Sequence, residues 1–258
     1  MKSSNKSGRF KSTGNFFRKL TRAILLTFAV CLVLPWIIVL PFRFVNPPFS
    51  AYMLESWIFA KMNGRSHYEL KHSWISIEQI SPNLVTAVIT SEDQGFIWHF
   101  GFDFDAIDKA FRHNGAAKKK IVGASTISQQ VAKNLFLWPS RTWIRKGVEA
   151  YFTIAIEALW PKRRIIEMYL NFAQMGDGIF GAEAASRIWF HTSAAHLSSS
   201  QSAMLAAILP SPVKWHVNAP NGRVLRNQEW IVDHMENIRS MNYYQMIMGT
   251  KPVCAEPK

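Results

Sequence analysis

Glu92-Asp93-Gln94-Gly95-Phe96-Ile97-Trp98-His99-Phe100-Gly101-Phe102-Asp103 is the stretch on which the reading of this chain turns. Just before it come Ser81 and Pro82, a cap and a first-turn proline, and an apolar stripe of Leu84, Val85, Val88 and Ile89. That spacing predicts a helix with Glu92 near its C-terminal end. A carboxylate there meets the negative end of the helix dipole, which raises its pKa and suits it to accept a proton. Downstream lies the polar run Gly123-Ala124-Ser125-Thr126-Ile127-Ser128-Gln129-Gln130-Val131-Ala132-Lys133-Asn134, then Arg145-Lys146-Gly147-Val148-Glu149. Two carboxylates flanking Lys, Arg and amide groups suit a reaction in which a hydroxyl loses a proton and a phosphate departs. The pattern points to sugar transfer from a phosphate-activated donor.

Working outward, the chain reads as mainly α. Residues 123 to 131 predict a turn leading into a helix, Arg141 to Trp160 a long helix ended by Pro161, and Lys162 to Phe172 another. Glycines 176, 178 and 181 break the pattern. Ser200 to Leu209 stops at Pro210-Ser211-Pro212, and Gly222 to Ser240 is expected to be the last helix. Long alternating strand patterns and internal repeats are absent. The first ~20 and last ~10 residues are expected to be disordered.

The N-terminal segment is a separate problem. The chain has 258 residues, a formal charge of +13 and 48% hydrophobic residues, which excludes a disordered chain and favours anionic partners. Lys2, Lys6, Arg9, Lys11, Arg18, Lys19 and Arg22 all precede the first acidic residue, Glu55. From Ala23 to Phe42 no residue is charged, and about 20 residues suffice to cross a bilayer as a helix. The basic run before it orients the N-terminus toward the cytoplasm and everything after about residue 45 outside. A cleaved signal peptide is the alternative, disfavoured by the long basic leader and the missing small-x-small cleavage site. Pro35 and Pro41 weaken or kink the outer end. Cys31 and Cys254 are too far apart to pair, so an exported domain folds without a disulfide. Trp36, Phe42, Phe44, Phe49, Tyr52, Trp57 and Phe59 supply either ordinary packing or an interfacial belt.

With these residues in view, the chain resembles the peptidoglycan glycosyltransferase family, the module of class A penicillin-binding proteins, in its stand-alone form. The resemblance spans roughly residues 65 to 215 in five ordered blocks. They are Glu92-Asp93 with Phe96, His99, Gly101 and Asp103; Gly123 to Asn134; Arg145-Lys146 with Glu149 and Glu157; Lys162-Arg163-Arg164 through Tyr169-Leu170-Asn171, Gly176 and Gly181; and Ala203 to Pro212. It implies a mainly α, lysozyme-like domain behind one N-terminal transmembrane helix, in a bacterial inner membrane with the domain in the periplasm. It implies polymerisation of lipid II, a disaccharide-pyrophosphoryl-undecaprenol, with the growing lipid-linked strand as the other substrate. By resemblance Glu92 is the base, and Lys133, Arg145 and Lys146 meet the pyrophosphate. Ser125, Thr126, Gln130 and Asn134 are donor-site or scaffold residues. Glu149 is the second carboxylate, with three roles open: orienting Arg145, holding a divalent cation (Mg or Mn), or assisting the leaving group. Which cell-division or other cell-wall synthesis proteins it meets stays open.

The expected organisation is a basic cytoplasmic tail (1–22), a signal anchor (23–42), a membrane-proximal aromatic segment (43–64), the glycosyltransferase domain (65–240) and a C-terminal tail (241–258). Plainer readings stand beside it. Arg145 and Glu149, at i and i+4, match a solvated salt bridge as well. His99 lacks an evident partner acid and is read as structural. Lys118-Lys119-Lys120 is read as a solvated run that contacts anionic lipid or substrate at best. Ser211-Pro212-Val213-Lys214 matches a transpeptidase Ser-x-x-Lys by coincidence, without a Lys-Thr-Gly. Rival functions are a glycan-cleaving lysozyme-like enzyme and a non-catalytic membrane anchor for glycan or division proteins. Nucleic acid is not expected, because the basic tail carries no recognition fold.

Overall fold

The computed structural model describes residues 8–116, 123–140 and 142–250. Helix α1 (Gly8–Val39) runs through Pro35 and tightens into a 3-10 turn, Leu40–Arg43, that contains Pro41. Helix and turn together hold a stretch, Arg18–Arg43, that is long and apolar enough to cross a membrane. The helix begins well before Ala23, so the expected disorder of the basic leader does not hold from residue 8 onward. Once the apolar run supplies a helical nucleus, each further residue gains a hydrogen bond at little extra cost. The expectations for residues 1–7, Lys118-Lys119-Lys120, Arg141 and 251–258 fall outside the described residues.

Among the described residues ten further α-helices follow: α2 (Ala51–Met62), α3 (Pro82–Glu92), α4 (Phe104–Ala116), α5 (Ile127–Phe136), α6 (Trp143–Leu159), α7 (Lys162–Phe172), α8 (Ala182–Phe190), α9 (Ser199–Ile208), α10 (Gly222–Ser240) and α11 (Tyr243–Met248). The glycine-broken stretch after α7 folds back as β2 (Gln174–Gly176) and β3 (Ile179–Phe180), and β1 (Lys71–His72) joins β3 in parallel, giving the order β1-β3-β2. Local chemistry sets most boundaries. The Ser81 hydroxyl caps α3, Thr126 and Gln129 form a reciprocal capping box on α5, and Thr142 caps α6, which starts at Trp143, two residues later than the expected Arg141. Helix α11 corrects the expectation that Gly222–Ser240 is last. Asn242 turns the chain at φ +56°, and Tyr243 and Ile247 bury themselves against the core. Helix α2 escapes a periodicity reading because it buries only Met53 and Ala60.

Two packed groups position the site. Helix α3 packs against α9 and α10, and α5 packs against α6 and α7, around fully buried Phe96, Phe172 and Phe180. The segment after α1 is clamped by Arg164, which donates to the carbonyls of Phe42 (3.0 Å) and Val45 (2.9 Å) and to Asn46 Oδ1 (2.8 Å). Lys162 is likewise engaged, with Glu157 and the His99 carbonyl, both at 2.7 Å. Two cations of the Lys162-Arg163-Arg164 block are therefore bracing groups.

Gly101 sets the fit between the Glu92–Asp103 loop and α6. Its φ is +81°, and a Cβ there would stand 2.7 Å from Thr153 Cγ2. Its carbonyl accepts from the Thr126 hydroxyl at 2.7 Å. Gly101→Ala is expected to destabilise the fold by about 2–4 kcal/mol, from left-handed strain plus overpacking, as read from denaturant unfolding of the chain in detergent.

Candidate active site

Glu92 is the last residue of α3, and Asp93 caps it. The two adjacent carboxylates have different tasks. Asp93 is buried and accepts from the Ile127 backbone N–H, the first of α5, at 2.9 Å, and from His99 Nε2 at 2.9 Å. His99 thus has a partner acid, six residues back in the loop, which spacing arguments overlooked. Glu92 is half-buried and accepts from Gln130 Nε2 at 2.7 Å. Tyr169 Oη lies 3.4 Å from the other end of that amide, Gln130 Oε1, so the amide nitrogen faces the carboxylate.

Burial pushes the Glu92 carboxyl above the ordinary range, and the Asp93 charge adds to it; the Gln130 hydrogen bond and Lys133 act the other way. The rise expected from the sequence is present, but desolvation leads it. Tyr169, wholly enclosed, is raised well above the usual phenol range by burial first and by Glu92 and Asp93 next.

A cavity of about 640 Å³ opens beside this pair, lined by Gln130, Lys133, Asn134 and Arg145 among others. Lys133 is exposed by area because it projects into this space, yet the surrounding protein still desolvates it. Burial lowers its pKa first, and Arg145 and Lys146 add to that against the pull of Glu149 and Glu92. Behind the cavity Glu149 is buried, with Arg145 Nη1 donating to one oxygen at 2.6 Å and Lys146 paired with the other. This is not the solvated surface pair that i, i+4 spacing allows. Arg145 lines the cavity, while its Nε is buried without a protein partner.

The four other sequence candidates divide. Gln130 and Asn134 line the cavity. Of the two roles expected for Thr126, its hydrogen bonds fit the scaffold one: its hydroxyl accepts from Gln129 N–H and donates to the Gly101 carbonyl, which leaves no donor for a ligand. Ser125 is exposed ahead of α5. Among the described residues no group of three or more His, Cys, Asp or Glu is placed to hold a metal, and both Glu149 oxygens are taken by cations. These residues do not by themselves form a Mg or Mn cage.

Sequence reasoning missed Tyr52, Glu55 and Gln174, which also line the cavity. Glu55 faces Lys133, and burial raises its carboxyl above the ordinary range while Lys133 offsets part of the rise. Its only signal was being the first acidic residue after a long basic run.

The Glu92 titration is directly testable. Gln130→Leu removes the donor that favours the charged form, so the Glu92 carboxyl, already high, should titrate higher still in carboxyl-carbon NMR. An unchanged or lowered value would contradict the geometry.

Comparison with known proteins returns a match to the Transglycosylase family model over residues 59–236. The chain is 51% identical over 201 residues to the biosynthetic peptidoglycan transglycosylase of Haemophilus influenzae, covering 78% of this chain and 82% of the relative. It is 47% identical over 200 residues to that of Pectobacterium carotovorum (78% and 82%), and 46% identical over 207 residues to that of Yersinia pseudotuberculosis (80% and 86%).

Proposed function

The chain belongs to the transglycosylase family, and from that premise we propose that it polymerises lipid II into glycan strands with release of undecaprenyl pyrophosphate. One observation carries the reading: a half-buried, proton-hungry carboxylate shares an amide with a cavity lined by Lys133 and Arg145. Glu92 removes the proton from the 4-hydroxyl of the incoming sugar, and that oxygen attacks the anomeric carbon of the lipid-linked strand. The bond from that carbon to the pyrophosphate oxygen breaks, and the electron pair leaves with the pyrophosphate. Lys133 and Arg145, with Lys146 behind, meet the negative charge that builds there. Glu149 holds Arg145 and Lys146 in place, so its role is to position cations. A glycan-cleaving enzyme has no use for such a cluster.

Topology supports a lipid-linked substrate. Trp36 Nε1 donates to Tyr151 Oη at 2.8 Å and Trp160 Nε1 to the Val39 carbonyl at 3.0 Å, so α6 runs parallel to the apolar helix. The first turn of α6, with Arg145 and Lys146, therefore points back toward the membrane, and it carries Trp143 and Ile144 exposed at 91% and 78%. A lipid tail can stay in the bilayer while its pyrophosphate reaches the cations. The N-terminus then lies in the cytoplasm and the domain in the periplasm of a bacterial inner membrane.

Glu92→Gln keeps size and hydrogen bonding but removes the base, so lipid II turnover should fall by at least ~10²-fold; near-normal turnover would refute the assignment. Arg145→Lys keeps charge without the planar fork and should recover only part of what Arg145→Ala loses. A reporter fused after Lys258 should be active only outside the cytoplasm, and activity inside would place the site on the wrong side of the membrane.

A further inference from the structure

Glu92 does not line the cationic cavity. It lines a smaller one, about 170 Å³, with Asn227 and Trp230 of α10. A second cavity, about 510 Å³, follows along the same helix, lined by His234 and Asn237 with Trp98 and Tyr243. Trp230 and His234 stack with ring centroids 4.2 Å apart and join the two cavities. Positions 227, 230, 234 and 237 recur at helical spacing and form one stripe ~15 Å long that starts beside Glu92.

The chemistry of this stripe differs from that of the cationic cavity. Apart from Glu92, no Asp, Glu, Lys or Arg among the described residues lines either cavity, although α10 carries six charged side chains elsewhere along its length. What lines them is aromatic faces with neutral hydrogen-bonding groups. Trp98 is 66% exposed, held edge-on by Tyr243 at 6.1 Å, and the Tyr243 hydroxyl is tied to the Gln94 carbonyl at 2.6 Å. His234 Nδ1 donates to the Trp230 carbonyl at 2.8 Å, which leaves Nε2 as an acceptor when the ring is neutral. Exposed, pre-fixed aromatic rings beside amides suit the apolar faces and hydroxyls of sugar rings.

We propose that this stripe is a binding track for neutral polysaccharide, the sugar portion of the growing strand leading away from the reacting carbon. The assignment of strand and direction rests on the lipid II polymerase reading; the preference for neutral sugar rests on the track alone. The pyrophosphate end sits among cations, and the completed sugars lie where no cation competes. Retaining them there keeps the strand on the enzyme between additions. Asn237 and Tyr243 lie beyond the segment matched by the family model.

The test uses the full chain in detergent with two probes, lipid II and soluble β-1,4-linked N-acetylglucosamine oligomers. The oligomers should bind the unaltered protein, and Trp98→Ala and Asn237→Ala, both exposed positions, should each weaken binding by about three- to ten-fold and shorten the strands made from lipid II. Glu236→Gln, on another face of α10, should change neither. Absence of oligomer binding, or binding and strand length indifferent to both Ala variants, overturns the track. Oligomer binding that is lost in those variants, in a protein that fails to polymerise lipid II, supports the track and refutes the polymerase reading instead.

Discussion

The Asp93 carboxylate is the tie on which the site depends. It satisfies the first backbone N–H of α5, which would otherwise be an orphan donor, and holds His99 at the same time. One buried side chain thus joins the end of α3, the loop that follows it and the start of α5. Since Glu92 is its neighbour and Gln130 lies on the first turn of α5, the Glu92–Gln130 contact follows from this tie. Removing one partner from such a buried, hydrogen-bonded pair typically costs about 3–5 kcal/mol. Here it would also separate the carboxylate from the helix that carries Lys133.

The charges beyond that tie are arranged so that attraction within the protein holds the cations ready without neutralising all of them. Arg145 and Lys146 would repel each other and Lys133 if left alone. Buried Glu149 binds the first two and leaves Lys133 free to face the cavity that Arg145 also lines. Elsewhere cations serve as braces, as Arg164 and Lys162 do. Beside its other surface cations, the chain of net charge +13 therefore carries three sets with distinct tasks: a leader ahead of the apolar helix, internal braces, and a small reactive set.

Much of this was legible in the residues and some was not. Helix α7 and the cap of α3 follow from side chains that act locally, Ser81 and Pro82 at one and Pro161 ahead of the other, so spacing alone places them. The cavity cations Lys133 and Arg145 were singled out by the resemblance, through the blocks Gly123 to Asn134 and Arg145-Lys146 with Glu149. The task of Thr126 was not, since a hydroxyl at a helix start serves a cap or a ligand equally well until its partners are known. Nor were Glu55 and Tyr52, which reach the cavity from α2 across more than seventy residues of chain. Helix α11 was hidden because its two buried residues, Tyr243 and Ile247, are too few to make a period. The direction of the Glu92 shift was right, but its leading cause is burial, which only packing reveals.

The central claim is that one site joins a proton-accepting carboxylate to a cationic pocket acting on a lipid-linked pyrophosphate. It is tested most directly by incubating the unaltered full-length chain with lipid II in detergent while following glycan length and released undecaprenyl pyrophosphate together. The account predicts polymer whose new linkages match the released carrier one for one. Consumption of preformed sacculi with no carrier released from lipid II would contradict it.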